Sequence, residues 1–389
     1  MMSTTVHGRS PWRLRRAAAI TTAMVIAVTL FGCSSAPSDA NEQQSGEKSP
    51  EAQAALDYAY QGLGGDLTLD PLKIPEGIKA YVISCGEANS GCATGTASLV
   101  EGAKAAGWDV EIADGKLSPE GFATAIRQAV AAGADVIIPM GFGCMAAQAA
   151  FKEAHDAGIV IVGGGGPDDC DPALWAAVPE WLPDYSFDDH WALYGKLGAA
   201  WAYGATNGDA RAITLTQVTN SFGQTITDGF TQELESRGGE VITNIDFSDP
   251  ETVDGTFIQK VTTALLANPD ATILQVPGGG FLTGGLYQAI AQSGVSNLTV
   301  VVGGPSDATT LDLIRSGSSN GLALGVTAED SGWSQWGSID TANRVLAGAA
   351  PAYIAQPLLV VDADHNLPAS GGIDVGDWRD IYLKAWGRE

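Results

Sequence analysis

From Gly77 onward, short apolar runs alternate with stretches of helical periodicity, and almost nothing interrupts the series. Ile78–Ser84 reads as a buried strand, and Thr96–Gly107 as a helix with Leu99, Val100 and Ala103 on one face. Val110–Ala113 is a strand, Pro119–Ala132 a helix with Phe122, Ile126 and Val130 in phase, and Asp135–Met140 a strand. Met145–Ala157 (helix) and Ile159–Gly163 (strand) close this first series, with glycines at the helix ends 107, 133 and 158. Apolar runs at 3.6-residue spacing between continuous apolar strands predict a parallel sheet covered by helices on both faces.

Residues 164–185, rich in proline, glycine and acids, break the rhythm and predict a crossing segment. The alternation then restarts at the helix Asp188–Tyr203 and the strand Ala212–Val218. It runs through to the helix Gly337–Leu346, the strand Leu358–Val361 and the helix Val375–Trp386. The fold class is therefore α/β: two doubly wound parallel-sheet lobes in sequence, with the late elements passing between them through a multi-strand hinge.

The chain of 389 residues has a net charge of −25. Four of its 20 basic residues and none of its 45 acidic ones lie in the first 32 positions, so the rest is more acidic still. Such a surface repels nucleic acid and anionic lipid heads and keeps a protein dispersed. It names no ligand.

Arg9, Arg13, Arg15 and Arg16 precede the apolar run Ala17–Phe31, which ends in Leu30-Phe31-Gly32-Cys33 before the chain turns polar. This resembles a bacterial lipoprotein signal peptide with its lipobox, Phe31 being bulkier than the usual residue there. The resemblance implies a leader over 1–32, a lipid on Cys33 and export. An ordinary signal peptide with Cys33 incidental is one other reading, and a twin-arginine signal at Arg15-Arg16 is a weaker one, since plain alanines follow; the run is too short to span a bilayer stably. A tether follows (SSAPSDANEQQSGEKSP), then a short helix, Glu51–Gln61.

With Cys33 set aside four cysteines remain, an even number that suggests two disulfides in an oxidising compartment. Three pairings are possible. The short loop between Cys85 and Cys92 favours that pair, which leaves Cys144 with Cys170. A metal site is not expected, because there is no CxxC and His7, His155, His190 and His365 are scattered.

The order of elements resembles the type I periplasmic binding proteins, in particular the sugar-binding branch that delivers ligand to ABC transporters. The stretches IKAYVIS, AAGADVIIPMG, AHDAGIVIVGG, TDGFTQEL, LLANPDATILQ, FLTGGLYQAIAQSG, TVVVGG, DTANRVLAG and YLKAWG carry the resemblance from about Lys73 to Gly387. It implies that ligand sits between two lobes that close on it by a hinge motion. The expected organisation is a tether and short helix over 33–72. A first lobe takes 73–182 plus about 330–355, and a second takes 183–329 plus about 356–389.

Ligands of such folds meet the loops at the carboxyl ends of strands. That rule selects Asn89 and Ser90, whose side chains both donate and accept. It selects Phe142 between two glycines, and Asp168 and Asp169 with Trp181 in the crossing segment. In the second half it selects Asn220, Ser221 and Phe222, then Ser306, Glu329, Trp333 and Trp336. Turn geometry or core packing is the competing explanation for each. Ribose-type members place adjacent aromatics in the first loop, an arginine before the Gly-Phe pair of the second lobe, and an Asn-Asp pair where this chain has Gly278-Gly279. These anchors are missing, with Gln224–Asp228 preceding Gly229-Phe230. Ribose itself is thereby disfavoured against another sugar or a polyol.

Enzymatic signatures fail on context. Gly317–Gly321 fits GxSxG, but a helix precedes it and a strand follows, the reverse of a nucleophile elbow. Asp362–Asn366 opens like a calcium loop but lacks the sixth-position Gly and the twelfth-position Glu. Asp340 and Arg344 read as a surface ion pair one helical turn apart. The expectation is a non-enzymatic solute-binding lipoprotein of an ABC importer, anchored on the outer face of the cell membrane or periplasmic. It needs no cofactor and no nucleic acid, is monomeric, and meets a small sugar or polyol and an ABC permease. A sensory lipoprotein signalling to a membrane kinase or chemoreceptor is the alternative.

Overall fold

The computed structural model describes residues 47–219, 221–317 and 322–388, Ser221 by its backbone alone. The leader, Cys33, Asn220, the side chain of Ser221 and the Ser318–Gly321 part of the GxSxG stretch lie outside the described residues. Residues 47–389 make one compact unit.

Helix α1 (Pro50–Gln61) starts at Ser49, whose hydroxyl accepts from the Ala52 N–H, with Pro50 as its first residue. Strand β1 (Lys79–Ser84) leads into α2 (Ser90–Ala105), β2 (Asp109–Asp114), α3 (Pro119–Ala131) and β3 (Val136–Met140). A single 3-10 turn, Cys144–Ala147, opens α4 (Gln148–Asp156), and β4 (Val160–Ile161) follows. These four strands pair in the order β2-β1-β3-β4, all parallel. Alternate residues of the strands serve opposite faces. Ala80, Val82, Val136 and Ile138 pack with Leu99 and Ala103 of α2, whereas Tyr81, Ile83 and Ile137 pack with Phe122, Ile126 and Phe151.

The second series runs α5 (Phe187–Ala205), β5 (Arg211–Gln217), α6 (Ser221–Ser236), β6 (Glu240–Phe247), α7 (Asp249–Asp254) and α8 (Thr256–Ala267). Strand β7 (Ile273–Val276) follows, then a broken helix of α9 (Gly279–Phe281), a π-type turn over Leu282–Leu286 and α10 (Tyr287–Gln292). The series ends with β8 (Thr299–Val302), α11 (Ala308–Arg315), β9 (Ala323–Glu329), α12 (Ser331–Leu346), β10 (Leu358–Val361) and α13 (Trp378–Trp386). The second sheet has the order β10-β9-β8-β7-β5-β6 and is parallel except for β10, which runs against β9.

Three elements depart from simple chain order. Helix α1 packs on α5: the Lys48 ammonium reaches the Gly204 and Ala205 carbonyls at its end, and a Cβ on Gly204 would meet Leu56 at 2.5 Å. Helices α12 and α13 both join the core of the first sheet. The expectation that 356–389 belongs wholly to the second lobe is therefore corrected. Its strand β10 does pair there, but Trp378, Tyr382 and Trp386 of α13 are buried against α12 and α2-side residues.

Two carboxylates of the α12 region hold α13 in place. Asp330 caps α12 at the Trp333 N–H and also accepts from the Trp378 indole at 2.7 Å. Asp340 accepts from the Trp386 indole at 2.8 Å and from Arg344 at 2.6 Å. The Asp340–Arg344 pair is thus buried, with side-chain exposures of 3% and 7%, and is not the surface pair its spacing suggested. Such a pair costs desolvation and persists because further hydrogen bonds complete it.

Trp333 and Trp336, expected at the ligand, are part of this core. Trp336 stacks on Trp386 with ring centroids 5.5 Å apart and meets Trp378 edge-on at 5.4 Å. Trp333 lies over Trp378 and donates its indole N–H to the Ile354 carbonyl. Their burial against residues some 45 positions later in the chain is the physical reason for the correction. Replacing Trp336→Ala should lower unfolding free energy by about 3–5 kcal/mol, as large-to-small core changes do. Urea denaturation measures this, and a loss below about 1 kcal/mol would contradict the placement.

Candidate functional site

In each sheet the first strand of the series lies at the point where strand order reverses, between β2 and β3 for β1, and between β6 and β7 for β5. Crevices open at the carboxyl ends of strands at such points. Here the two ends face one cavity of about 640 Å³. Loops after β1, β3, β4, β5, β7 and β8 line it, together with the end of β9 and residues of several helices, α5 and α12 among them.

The two helices bring opposite chemistry. On α5, Phe187, His190, Trp191 and Tyr194 line the cavity at spacings of three and four, one continuous aromatic stripe. On α12, Ser331, Ser334, Gln335 and Ser338 line it with the same spacing, a stripe of hydroxyls and one amide. The opposite face of α12 carries Trp333 and Trp336 into the core. Ser186 and Asp189 form a capping box at the start of α5, which fixes where its aromatic stripe begins.

The rings of α5 are stacked on their surroundings. Trp191 lies on Phe222 with centroids 4.7 Å apart, and His190 lies on Trp181 at 4.4 Å. Burial pushes the His190 imidazole down to about 3, so it is neutral, and its Nε2 has no partner among the described residues. Glu329, at the end of β9, accepts from the Gln356 side-chain amide at 2.7 Å and from the Tyr194 hydroxyl. Burial pushes its carboxyl above the usual range, and those two hydrogen bonds oppose the shift. Burial and the neighbouring Glu329 carboxylate raise the Tyr194 phenol.

The cavity floor is tied to the segments that cross between the sheets. The Trp181 indole donates to the Gln356 carbonyl at 2.9 Å, and the Gln356 amide donates to Glu329. Backbone bonds join residue 354 to 180, 355 to 181, and 63 to 358. The crossing strands are therefore hydrogen-bonded to one another directly beneath the site.

Of the residues selected from sequence, Asn89, Phe142, Asp169, Trp181, Phe222, Ser306 and Glu329 line this cavity. Ser90, Asp168, Trp333 and Trp336 do not. Ser90 is the first residue of α2, and Asp168 accepts from the Leu174 and Trp175 N–H groups and so shapes its own loop. Asn89 caps α2 through bonds from the Gly91 and Cys92 N–H groups. Phe142 lies flat on Phe122 at 4.0 Å and is buried. Asp169 accepts from the Met145 N–H. The sequence reading missed the stripes on α5 and α12, and also Gln217 and Asp249, which bond to each other at 2.5 Å. The helical spacing of 187, 190, 191, 194 was the available signal.

Disulfides join Cys85 to Cys92 and Cys144 to Cys170. The first connects the end of β1 to the first turn of α2, and both of its cysteines line the cavity. Cys144 and Cys170 lie near Asp168 in a metal-like grouping, but their sulfurs are consumed by the disulfide.

The two rims touch where Asn89 meets Gly280, since a Cβ there would lie 3.1 Å from Asn89 Nδ2. Asn89 is held by its capping bonds and cannot swing away freely. Gly280→Leu should therefore obstruct closure and weaken any ligand enclosed by both rims about tenfold, or 1.4 kcal/mol. Calorimetric titration would show this, and an unchanged dissociation constant would contradict the contact. The neutral His190 gives a second expectation. Between about pH 6.5 and 3 the unfolded chain protonates this residue and the folded one does not, so its contribution to stability falls as pH drops. His190→Phe should lose less stability than the parent between pH 7 and 4, and equal slopes in denaturation curves would refute it.

A family model for the periplasmic binding protein domain matches residues 81–350. No curated protein matches the chain. Among solved structures, a galactofuranose binding protein superposes with a TM-score of 0.60 at 16% identity, covering 80% of this chain and 99% of its own. A glucose-galactose binding protein from Geobacillus stearothermophilus gives a TM-score of 0.61 at 18% identity, with 76% and 100% covered. The Caulobacter myo-inositol binding protein gives 0.57 at 16% identity, with 74% and 94% covered. At these identities the likeness concerns the fold, which is the type I arrangement expected from the sequence. The chain belongs to the periplasmic binding protein domain family.

Proposed function

We propose that this chain is an extracytoplasmic solute receptor that captures a small sugar or polyol between its two lobes and presents it to an ABC permease. The observation that carries the reading is the cavity itself, lined by an aromatic stripe on α5 and by a hydroxyl and amide stripe on α12. Aromatic faces stack on the CH side of a ring, while Ser, Gln and Asn side chains pair its hydroxyls in both directions. A volume of about 640 Å³ is within the range of small-molecule sites. The solved structures of similar fold include proteins named for galactofuranose, glucose-galactose and myo-inositol, which supports the class without choosing a member.

Ligand that touches α5 and α12 together favours the closed arrangement by the affinity difference between closed and open forms. Glu329 links such a ligand to the crossing strands through Gln356. In this reading Cys33 carries the lipid, the acidic stretch after it serves as a tether, and the receptor acts as a monomer on the outer face of the membrane. Its role is capture, with no covalent chemistry at the site.

A ligand screen tests the reading: pentoses, hexoses, polyols, nucleosides and amino acids against the full chain in detergent, by thermal shift and tryptophan fluorescence. A ligand at about 100 times its dissociation constant should stabilise by about 2.7 kcal/mol. Stabilisation by a sugar or polyol supports the proposal. Stabilisation by amino acids or nucleosides alone would overturn the carbohydrate assignment.

A further inference from the structure

The cavity is one-sided in charge. Asp169, Asp249, Asp307 and Glu329 all line it, and no lysine or arginine does among the described residues. His190 adds no positive charge, because burial keeps it neutral. The carboxylates are also not satisfied by cations from outside the lining: Asp169 is bonded to a backbone N–H, Asp249 to Gln217, and Glu329 to Gln356 and Tyr194.

The hydrogen-bonding capacity has the same bias. Asp307 and Gln335 are buried, with exposures of 8% and 6%. One oxygen of each, Asp307 Oδ2 and Gln335 Oε1, has no partner among the described residues. Both oxygens are acceptors, and the third unpartnered atom of the lining, His190 Nε2, accepts or donates according to its tautomer. A buried acceptor without a donor is costly, so a ligand that brings donors is favoured over one that brings acceptors. Hydroxyls bring one donor each, whereas an ammonium brings three and no acceptor.

We propose that the cleft selects a sugar or polyol bearing a protonated amine, an amino sugar or an aminocyclitol, over its neutral and acidic counterparts. The inference rests on the carbohydrate reading above and adds the charge of the ligand. The carboxylates supply the attraction, the orphaned acceptors take the ammonium or its neighbouring hydroxyls, and the absence of a lining cation rejects uronates and sugar phosphates.

The test is calorimetric titration of the full chain in detergent at about pH 6, where the amine is protonated. The probes are matched: glucose, galactose, mannose and myo-inositol, each beside its amino derivative, with glucuronate and galacturonate as acids. The proposal expects one amino compound to bind at least about tenfold tighter than its neutral partner, with no binding of the acids. Glu329→Gln and, separately, Asp249→Asn should each weaken the amino compound by more than its neutral partner and so shrink that ratio. Asp249 is only half-buried, so its variant keeps the test open if the first does not fold. Neutral sugars binding as tightly as their amino partners would overturn this inference and leave the carbohydrate reading standing. No response from any sugar or cyclitol would overturn both.

Discussion

The structure depends on the hydrogen bonds at Gln356. Its backbone carbonyl accepts from the Trp181 indole, and its side-chain amide donates to Glu329. Gln356 is fully buried, as is most of Trp181. One residue thus binds together the first crossing segment, the end of β9 and the return toward β10. Bonds of this kind favour one arrangement, because competing arrangements break them, although Gln356 Oε1 itself has no partner among the described residues. The two sheets have separate apolar cores, and the crossing strands are where their relative placement is decided.

That placement explains the division of labour between α5 and α12. Each is a helix of one lobe lying at the cleft, and each has a face committed to its own core. Helix α5 sends Leu197 and Trp201 toward the second sheet and α1, while α12 sends Trp336 and Ile339 toward the first. The remaining face of each meets the cavity. On α5, Trp191 and Tyr194 belong to the second-sheet core as well as to the cavity lining, so its aromatic stripe serves packing and recognition together. The disulfides fix the loops of the first lobe that complete this surface.

Much of the fold was legible in the sequence. Central parallel strands are buried on both faces, so IKAYVIS and ADVIIPM stand out as unbroken apolar runs. Helix starts were less so: α2 begins at Ser90 instead of Thr96, because its cap is Asn89 and its first turn is Gly- and Cys-rich. The site was legible at the strand ends and not on the helices. A rule that looks only at loops finds Asn89, Phe142, Phe222, Ser306 and Glu329, and overlooks a helical stripe such as 187, 190, 191 and 194. Trp333 and Trp336 illustrate the other limit. Their neighbours Trp378, Tyr382 and Trp386 lie on a helix that returns from the second sheet, and no local pattern announces that return.

The central claim is that one ligand engages α5 and α12 at the same time. Hydrogen exchange of the full chain, with and without the tightest ligand found, measures it directly. The account predicts added protection in residues 187–194 and 331–338 together, and in the crossing residues 353–357 between them. Protection confined to one of the two helices, or lying away from both, would contradict it.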